Sequence, residues 1–387
     1  MAQGNTAAKS QTARYPSKST VSHFQIAPAE FPHHLFHLLR CPHDAGNLIL
    51  AAELQCGSIG VVQGILKCTS CNAEYPIEEG IARLMHHDLT REDRHEMATR
   101  DMQNAQLPLG PFIPPPFGWR SLLSDLLEIP PHLHALRPAG RRVLEIGCGD
   151  GRLTMLLAQM GATVLAVDFS FNSLRVLGSR LRSGIAPTTY QLPGSHSRED
   201  LRHMVGLVQA DASHFSVAPR SFDRALSATP LDSREQRMAL YHTIAEALTD
   251  QGHYVGSVEN DDLTRRLLGL PTARRYSSGI FIEHFDVERM RGEAAPFFSK
   301  IRIRPIRPRL PFLHRLPLKC ALYLSRVVAV LPVLRHLGEL LLLCAERPVR
   351  PSLEGVHRPG NKFVKRFYRW YMRKIGKPPA WEENEPV

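Results

Sequence analysis

Val143-Leu-Glu-Ile-Gly-Cys-Gly-Asp-Gly151 is followed, at the end of the next apolar run, by Val167-Asp168. The run Val143 to Ile146 predicts a buried parallel strand. Gly147, Gly149 and Gly151 mark a sharp turn after it, where a ligand can approach bare backbone. Arg152 to Met160 has helical composition and stops at Gly161. Thr163 to Val167 reads as a second strand, rich in β-branched and apolar residues, with Asp168 just past its carboxyl end. A carboxylate there can accept hydrogen bonds from both hydroxyls of an unphosphorylated ribose, a geometry shared with dinucleotide sites.

Spacing and charge then separate the possible nucleosides. Dinucleotide sites usually read G-x-G-x-x-G, because a pyrophosphate needs the helix amino terminus. This loop reads E-x-G-x-G-x-G, with Asp150 inside it. An acid at that place repels a pyrophosphate, whereas the sulfonium and ammonium groups of S-adenosylmethionine are compatible with Glu145 and Asp150.

Residues 141 to about 260 resemble a class I S-adenosylmethionine-dependent methyltransferase. Asp168-Phe-Ser is followed by Gly206-Leu-Val-Gln-Ala-Asp211-Ala, similar to the family's third strand, and by Ser221-Phe-Asp-Arg-Ala-Leu-Ser227, similar to its fourth. Leu240 to Leu248 and Asp250-Gln-Gly-His-Tyr-Val-Gly-Ser-Val258 resemble the next helix and the fifth strand, with Asp250-Gln-Gly252 in place of the usual Pro-Gly-Gly turn. The resemblance implies an α/β Rossmann-like sheet of seven strands, the last antiparallel. It also implies a cofactor site made by Glu145, Gly147, Cys148, Gly149, Asp168, Phe169, Asp211, Ala212 and Ser227, with Asp211 at the adenine.

The 387 residues suggest two or three domains, and 43% hydrophobic content is enough for a substantial core. Seven scattered cysteines and the lack of a ~20-residue apolar run predict a soluble cytosolic protein with reduced thiols. Residues 1–30 read as a disordered tail. Residues 31–90 form a small module with Leu39-Arg-Cys41-Pro-His-Asp44 and Cys68-Thr-Ser-Cys71. The module resembles the zinc-ribbon-like partner of tRNA methyltransferases and the amino-terminal ribbon of some rRNA guanine methyltransferases. Its first Cys pair is broken, and Asp44 stands where the fourth thiolate is expected. Cys41, Asp44, Cys68 and Cys71 are therefore the candidate zinc ligands, His43 being an alternative to Asp44.

Residues 91–135 read as a charged helical stretch, a proline-rich linker containing Pro114 to Pro116, and a cap helix starting at Trp119. The methyltransferase-like region is expected over 136–350, with a helical cap inserted at 261–338 and Leu340 to Ala345 as a returning edge strand. Charge is concentrated beyond it. Residues 301–387 carry 18 Lys and Arg against 6 Asp and Glu, whereas residues 1–300 carry 30 against 31. This asymmetry points to an anionic partner, nucleic acid or a membrane surface. In the basic aromatic tail, 351–387, residues 361–375 place Phe363, Val364, Phe367, Trp370, Tyr371 and Ile375 on one side of a helix wheel. Lys362, Lys365, Arg366, Arg369 and Arg373 lie on the other. That composition suits an interfacial helix at anionic lipid, RNA binding, or docking onto the protein's own core.

Methyl transfer needs in-line placement of a nucleophile, and a general base only where the acceptor must lose a proton. Candidate bases are His242, His253, Glu283 and His284. The expected function is methyl transfer from S-adenosylmethionine to a small-molecule or lipid-like acceptor at oxygen or carbon, in a cytoplasmic protein with peripheral membrane contact through 361–375. The alternatives are an RNA methyltransferase using ribbon and tail, and a noncatalytic binding protein of the same fold.

Overall fold

The computed structural model describes residues 28–86, 91–110, 119–190, 192, 200–228, 234–275, 281–308, 310, 313–332 and 334–350. The tail 351–387 with its 361–375 wheel, the prolines 114–116 and most of the segment 1–30 lie outside the described residues.

The strands are β1 (Phe31–Pro32), β2 (Leu48–Cys56), β3 (Gly60–Cys68), β4 (Glu74–Glu78), β5 (Ile81–Arg83), β6 (Arg142–Ile146), β7 (Thr163–Asp168), β8 (Val205–Gln209), β9 (Phe222–Ser227), β10 (Leu248–Glu259), β11 (Ala273–Arg275), β12 (Phe281–Glu283), β13 (Phe298–Pro308) and β14 (Gly338–Pro348). The α-helices are α1 (Arg91–Asn104), α2 (Trp119–Leu136), α3 (Arg152–Gln159), α4 (Phe171–Leu181), α5 (Arg234–Ala247), α6 (Leu263–Leu267), α7 (Val287–Ala294) and α8 (Leu318–Val330).

The main sheet runs β1-β3-β4-β5-β8-β7-β6-β9-β10-β14-β13, with β2 also on β3. The block from β8 to β13 holds the seven expected strands, and β14 is antiparallel to both neighbours. The sheet as a whole departs from the expectation: it has 12 strands rather than seven. The amino-terminal strands extend it because β5 pairs in parallel with β8, Ile81 opposite Leu207 and Ala82 opposite Val208. One buried cluster accordingly joins Phe31, Leu66 and Ile77 to Leu144, Leu165 and Val208.

Two further expectations change. β14 is an interior strand between β10 and β13, and the inserted 261–338 segment is only partly helical, since it contributes β13 to the sheet and the hairpin β11-β12. β13 reads K-I-R-I-R-P-I-R, and this alternation is the strand period, which fits an edge position with one solvated face. The fifth strand also begins earlier than expected, at Leu248, with a register shift between Leu248 and His253 that absorbs the Asp250-Gln-Gly252 turn.

The strand period of two distributes the core. Leu144, Ile146, Leu165 and Val167 face the cluster that contains α5, while Val143, Val164 and Ala166 face the cluster with residues of α2, α3 and α4. Six consecutive strands, β5, β8, β7, β6, β9 and β10, are parallel, so their carboxyl ends share one rim. The glycine turn and the ends of β7, β8, β9 and β10 all lie on that rim, where ligands of open α/β sheets bind. Among the described residues no helix is long and apolar enough to cross a membrane.

Candidate functional site

The turn after β6 adopts the conformation its glycines predict: φ is 77° at Gly147, 55° at Gly149 and 92° at Gly151. The Gly147 and Cys148 amides both donate to the Val167 carbonyl, at 2.8 and 3.1 Å, which ties the loop to the end of β7. Asp168 closes the arrangement. Its Oδ2 accepts from the Gly149 amide at 2.8 Å and its Oδ1 from the Ser170 amide at 2.9 Å. Ser170 in turn caps α4, accepting from the Ser173 amide, and donates its hydroxyl to Asp101 of α1 at 2.6 Å. The charged stretch before the domain therefore braces the ribose-side loop.

Asp211 follows β8 and is buried. Its Oδ1 accepts from the Ser213 amide and hydroxyl, both at 2.8 Å, and its Oδ2 pairs with His214 Nδ1 at 2.6 Å. Burial works against its charge, but His214 and Ser213 outweigh it and hold the carboxyl below the usual range. The His214 ring lies 5.5 Å from that of His86, which lies 5.6 Å from His43. A row of mutually tilted imidazoles thus runs from the amino-terminal module to Asp211.

The loop's chemistry fits a cationic nucleoside. A Cβ added at Gly149 would meet nothing within 4 Å, so its backbone faces an open cradle. Glu145 is buried behind it, with Oε2 lacking a hydrogen-bond partner among the described residues. Burial, with the negative Asp168 adding to it, pushes the Glu145 carboxyl up to about 8. A ligand cation would return it to the ionised form. Cys148 and Ser227 are buried, while Phe169 and Ala212 are half-buried.

The candidate bases are scattered. His242 is packed in the core edge-on to Phe297, and burial pushes its imidazole down to about 4. His253 lies in the first half of β10, away from the rim, and lines a groove with Arg137, Lys300 and Arg302. Glu283 and His284 stand near the rim, because Phe285 bridges to Asn260 just past β10. Glu283 is engaged by Arg237 at 3.1 Å and Arg289 at 2.8 Å, and the His284 ring contacts the Thr272 carbonyl at 3.2 Å.

Sequence reasoning missed a second cavity on the rim, of about 230 Å³, lined by Ser124, Glu128, Arg152, Ser257, Glu259 and Arg307 among others. Arg152, the residue after the glycine turn, donates to Asp125 at 3.0 Å and also pairs with Glu128 of α2. Arg307 of β13 reaches Glu128 at 2.8 Å and Glu339 at 2.9 Å. Arg152 was visible next to Gly151, but its partners come from 24 and 27 residues upstream, and no local pattern links them.

In the amino-terminal module Cys41, Asp44, Cys68 and Cys71 place their ligand atoms within 4.8 Å of one another. Cys41 Sγ and Cys71 Sγ are 3.7 Å apart, close to the edge of about 3.8 Å that a zinc–sulfur tetrahedron requires. The Ser70 and Cys71 amides point at Cys68 Sγ, at 3.4 and 3.5 Å, the donor pattern that stabilises a thiolate in a knuckle. Gly46 keeps the corner clear, since a Cβ there would lie 2.8 Å from Cys68 Sγ and 2.9 Å from Asp44 Oδ1.

Residues 143–252 match the methyltransferase-domain family. They form a methyltransferase domain. The Gly149 cradle, Glu145 and Asp168 suit S-adenosylmethionine as its cofactor. The mitochondrial ubiquinone biosynthesis O-methyltransferase of Schizosaccharomyces pombe is 29% identical over 135 residues, 35% of this chain and 44% of that protein. The ubiquinone biosynthesis O-methyltransferase of Paracidovorax citrulli is 36% identical over 83 residues, 21% of this chain and 30% of that one. The chain thus spans less than half the length of these relatives. An S-adenosylmethionine-dependent methyltransferase from Mesorhizobium loti, known from its crystal structure, is 19% identical. The match covers 57% of this chain and 97% of that one, with a TM-score of 0.38.

Proposed function

We propose that the protein transfers the methyl group of S-adenosylmethionine to a hydroxyl of a small, lipid-like acceptor. The observation that carries this reading is the shared rim: the cofactor loop and the cavity between Ser257, Glu259, Arg152 and Arg307 lie at the carboxyl ends of the same parallel strands. The names of the two relatives, both O-methyltransferases, support oxygen as the acceptor atom.

When bound, the cofactor supplies an activated methyl carbon on a sulfonium. The chain's residues do the rest. Asp168 and Asp211 would hold the ribose and adenine, and the Gly147 to Gly151 backbone would receive the amino-acid part, with the Glu145 carboxylate near its charge. The cavity orients the acceptor hydroxyl toward the methyl carbon. The oxygen–carbon bond forms as the carbon–sulfur bond breaks, with its electron pair going to sulfur. The hydroxyl proton passes to a carboxylate of the cavity, for which Glu259, at the end of β10, is our candidate. Glu128, held by two guanidinium groups, fixes Arg152 and Arg307 rather than moving a proton.

We further assign one zinc ion to Cys41, Asp44, Cys68 and Cys71. With four protein ligands the site has no open position, so its role is structural.

One observation favours RNA as the acceptor instead: a groove of about 560 Å³ lined by His134, Arg137, His253, Lys300, Arg302 and Arg304, with Glu346 as its acid. Labelled S-adenosylmethionine offered with a lipid extract, a metabolite extract and RNA decides between the readings. Label in the lipid or metabolite fraction supports the proposal. Label in RNA overturns it in favour of the second reading, and absence of transfer leaves a binding protein.

A further inference from the structure

We infer that the outer face formed by α6, α8 and the turn before β14 docks onto an anionic lipid bilayer, with the rim of the active site toward the membrane. Helix α8 buries Ala321, Ser325 and Val328, positions i, i+4 and i+7, against the protein. Its other side is apolar as well as exposed. Tyr323 is 73% and Val330 76% accessible, and Leu267 and Leu268, at the end of α6, reach 78% and 67%. Leu270, Leu324, Leu331 and Leu334 are also exposed. These residues belong to one surface, because the short turn Leu334–Leu337 packs against both α6 and α8. So many exposed large apolar side chains on elements that share one neighbouring turn mark an interaction site, since water is a poor solvent for them.

Charge selects the occupant. No Asp or Glu occurs from residue 294 to residue 338, while Arg315, Lys319 and Arg326 stand exposed around the apolar side chains. Apolar residues set among cations complement a surface of anionic headgroups over acyl chains, and of the two acids that precede α6, Asp262 is buried and Asp261 is paired with Arg266 at 3.1 Å. A 13-residue helix is too short to span the bilayer and suits one lying in the interface. Position gives the contact its purpose. α6 follows the carboxyl end of β10 and the Leu334–Leu337 turn leads back into β14, so the face borders the rim. Through Leu123 and Leu127, α2 joins Leu313, Leu318, Ala321 and Leu322 in one apolar cluster, which links the face to the helix that carries Ser124 and Glu128 of the cavity. The surface rests on exposure and charge alone. Only its role in delivering an acceptor rests on the lipid-like reading above.

The test is co-sedimentation of the full chain with vesicles of phosphatidylcholine, with and without phosphatidylglycerol. The wild type is expected to sediment with the anionic vesicles. Y323E/V330E and L267E/L268E should each weaken partitioning about tenfold, and K319E/R326E should remove most of the preference for phosphatidylglycerol. An unchanged melting temperature and unchanged S-adenosylmethionine binding show that the variants are folded. Three results overturn the inference: no sedimentation of the wild type, sedimentation of the apolar variants as tight as wild type, or a wild-type dimer in light scattering that these substitutions dissociate without any vesicle binding. Vesicle binding with no methyl transfer to lipid would overturn the acceptor reading alone, and transfer to lipid without vesicle binding would overturn the docking face alone.

Discussion

The Gly149 amide donates to Asp168 Oδ2 across 2.8 Å, so the turn after β6 and the acid at the end of β7 are joined into one hydrogen-bonded unit by the protein's own groups. Ser170 holds the other carboxylate oxygen and is itself held by Asp101. Pre-ordering of this kind lowers the entropy lost on binding.

Asp168→Ala removes both clamps and the proposed ribose acceptor, and Asp211→Ala removes the acid proposed to face the adenine. Each is expected to weaken S-adenosylmethionine binding by about tenfold to a hundredfold, the range for losing hydrogen bonds to a charged group. Isothermal calorimetry measures this, and wild-type affinity in both variants would defeat the pocket assignment.

Glu145 makes the pocket pH-dependent. Its carboxyl, pushed up to about 8, holds a proton at neutral pH, and a cation bound beside it favours the ionised form. Binding below that pH should therefore release a proton, and affinity should rise with pH until about 8. Calorimetry in buffers of different ionisation enthalpy reads the proton directly, and Glu145→Gln should abolish it. In the ligand-free protein the folded carboxyl keeps a proton that the unfolded chain gives up. Stability should accordingly fall as pH rises from the ordinary glutamate range to about 8, and Glu145→Gln should flatten that slope.

Two glycines of the loop should fail in different ways. At Gly151, φ is 92° and an added Cβ would lie 2.3 Å from Leu177 Cδ1. Gly151→Ala is expected to lower stability by about 1–3 kcal/mol, visible as a lower melting temperature. At Gly149 the added Cβ points into open space, so Gly149→Ala should reduce cofactor affinity more than it reduces the melting temperature. Equal effects of the two substitutions on both readouts would contradict the cradle.

Metal analysis of the purified protein should give about one zinc per chain, as expected for a closed four-ligand site. Cys68→Ser and Asp44→Ala should each lower that occupancy and the melting temperature of the module. Zinc near zero in the wild type would leave Cys41, Asp44, Cys68 and Cys71 as packing residues.

The strand, turn and acid pattern was legible because each element is local. Gly147, Gly149 and Gly151 adopt positive φ, and the short apolar runs 143–146 and 163–167, each followed by a turn, fold as buried strands. The cluster Cys41, Asp44, Cys68 and Cys71 was legible from spacing within two short knuckles. The second cavity was not, because Glu128, Arg152, Ser257 and Arg307 come from four separate elements. Nor was the bracing of Ser170 by Asp101, since a charged helix without an apolar stripe says nothing about which loop it will cover.

What the sequence determined by itself was the strand, glycine turn and strand over residues 142–168, because backbone conformation there is decided within a few residues; the charge of Asp150 was not, since Arg180, 30 residues on, pairs with it at 2.7 Å. The tertiary structure decided three things that depend on distant surfaces meeting. The parallel pairing of β5 with β8 made one sheet of 12 strands. The opposition of β10, α2 and β13 made the cavity. The burial of only one side of α8 left Tyr323 and Val330 in solvent. Periodicity marks a face as apolar, but whether that face is covered depends on which other surfaces reach it.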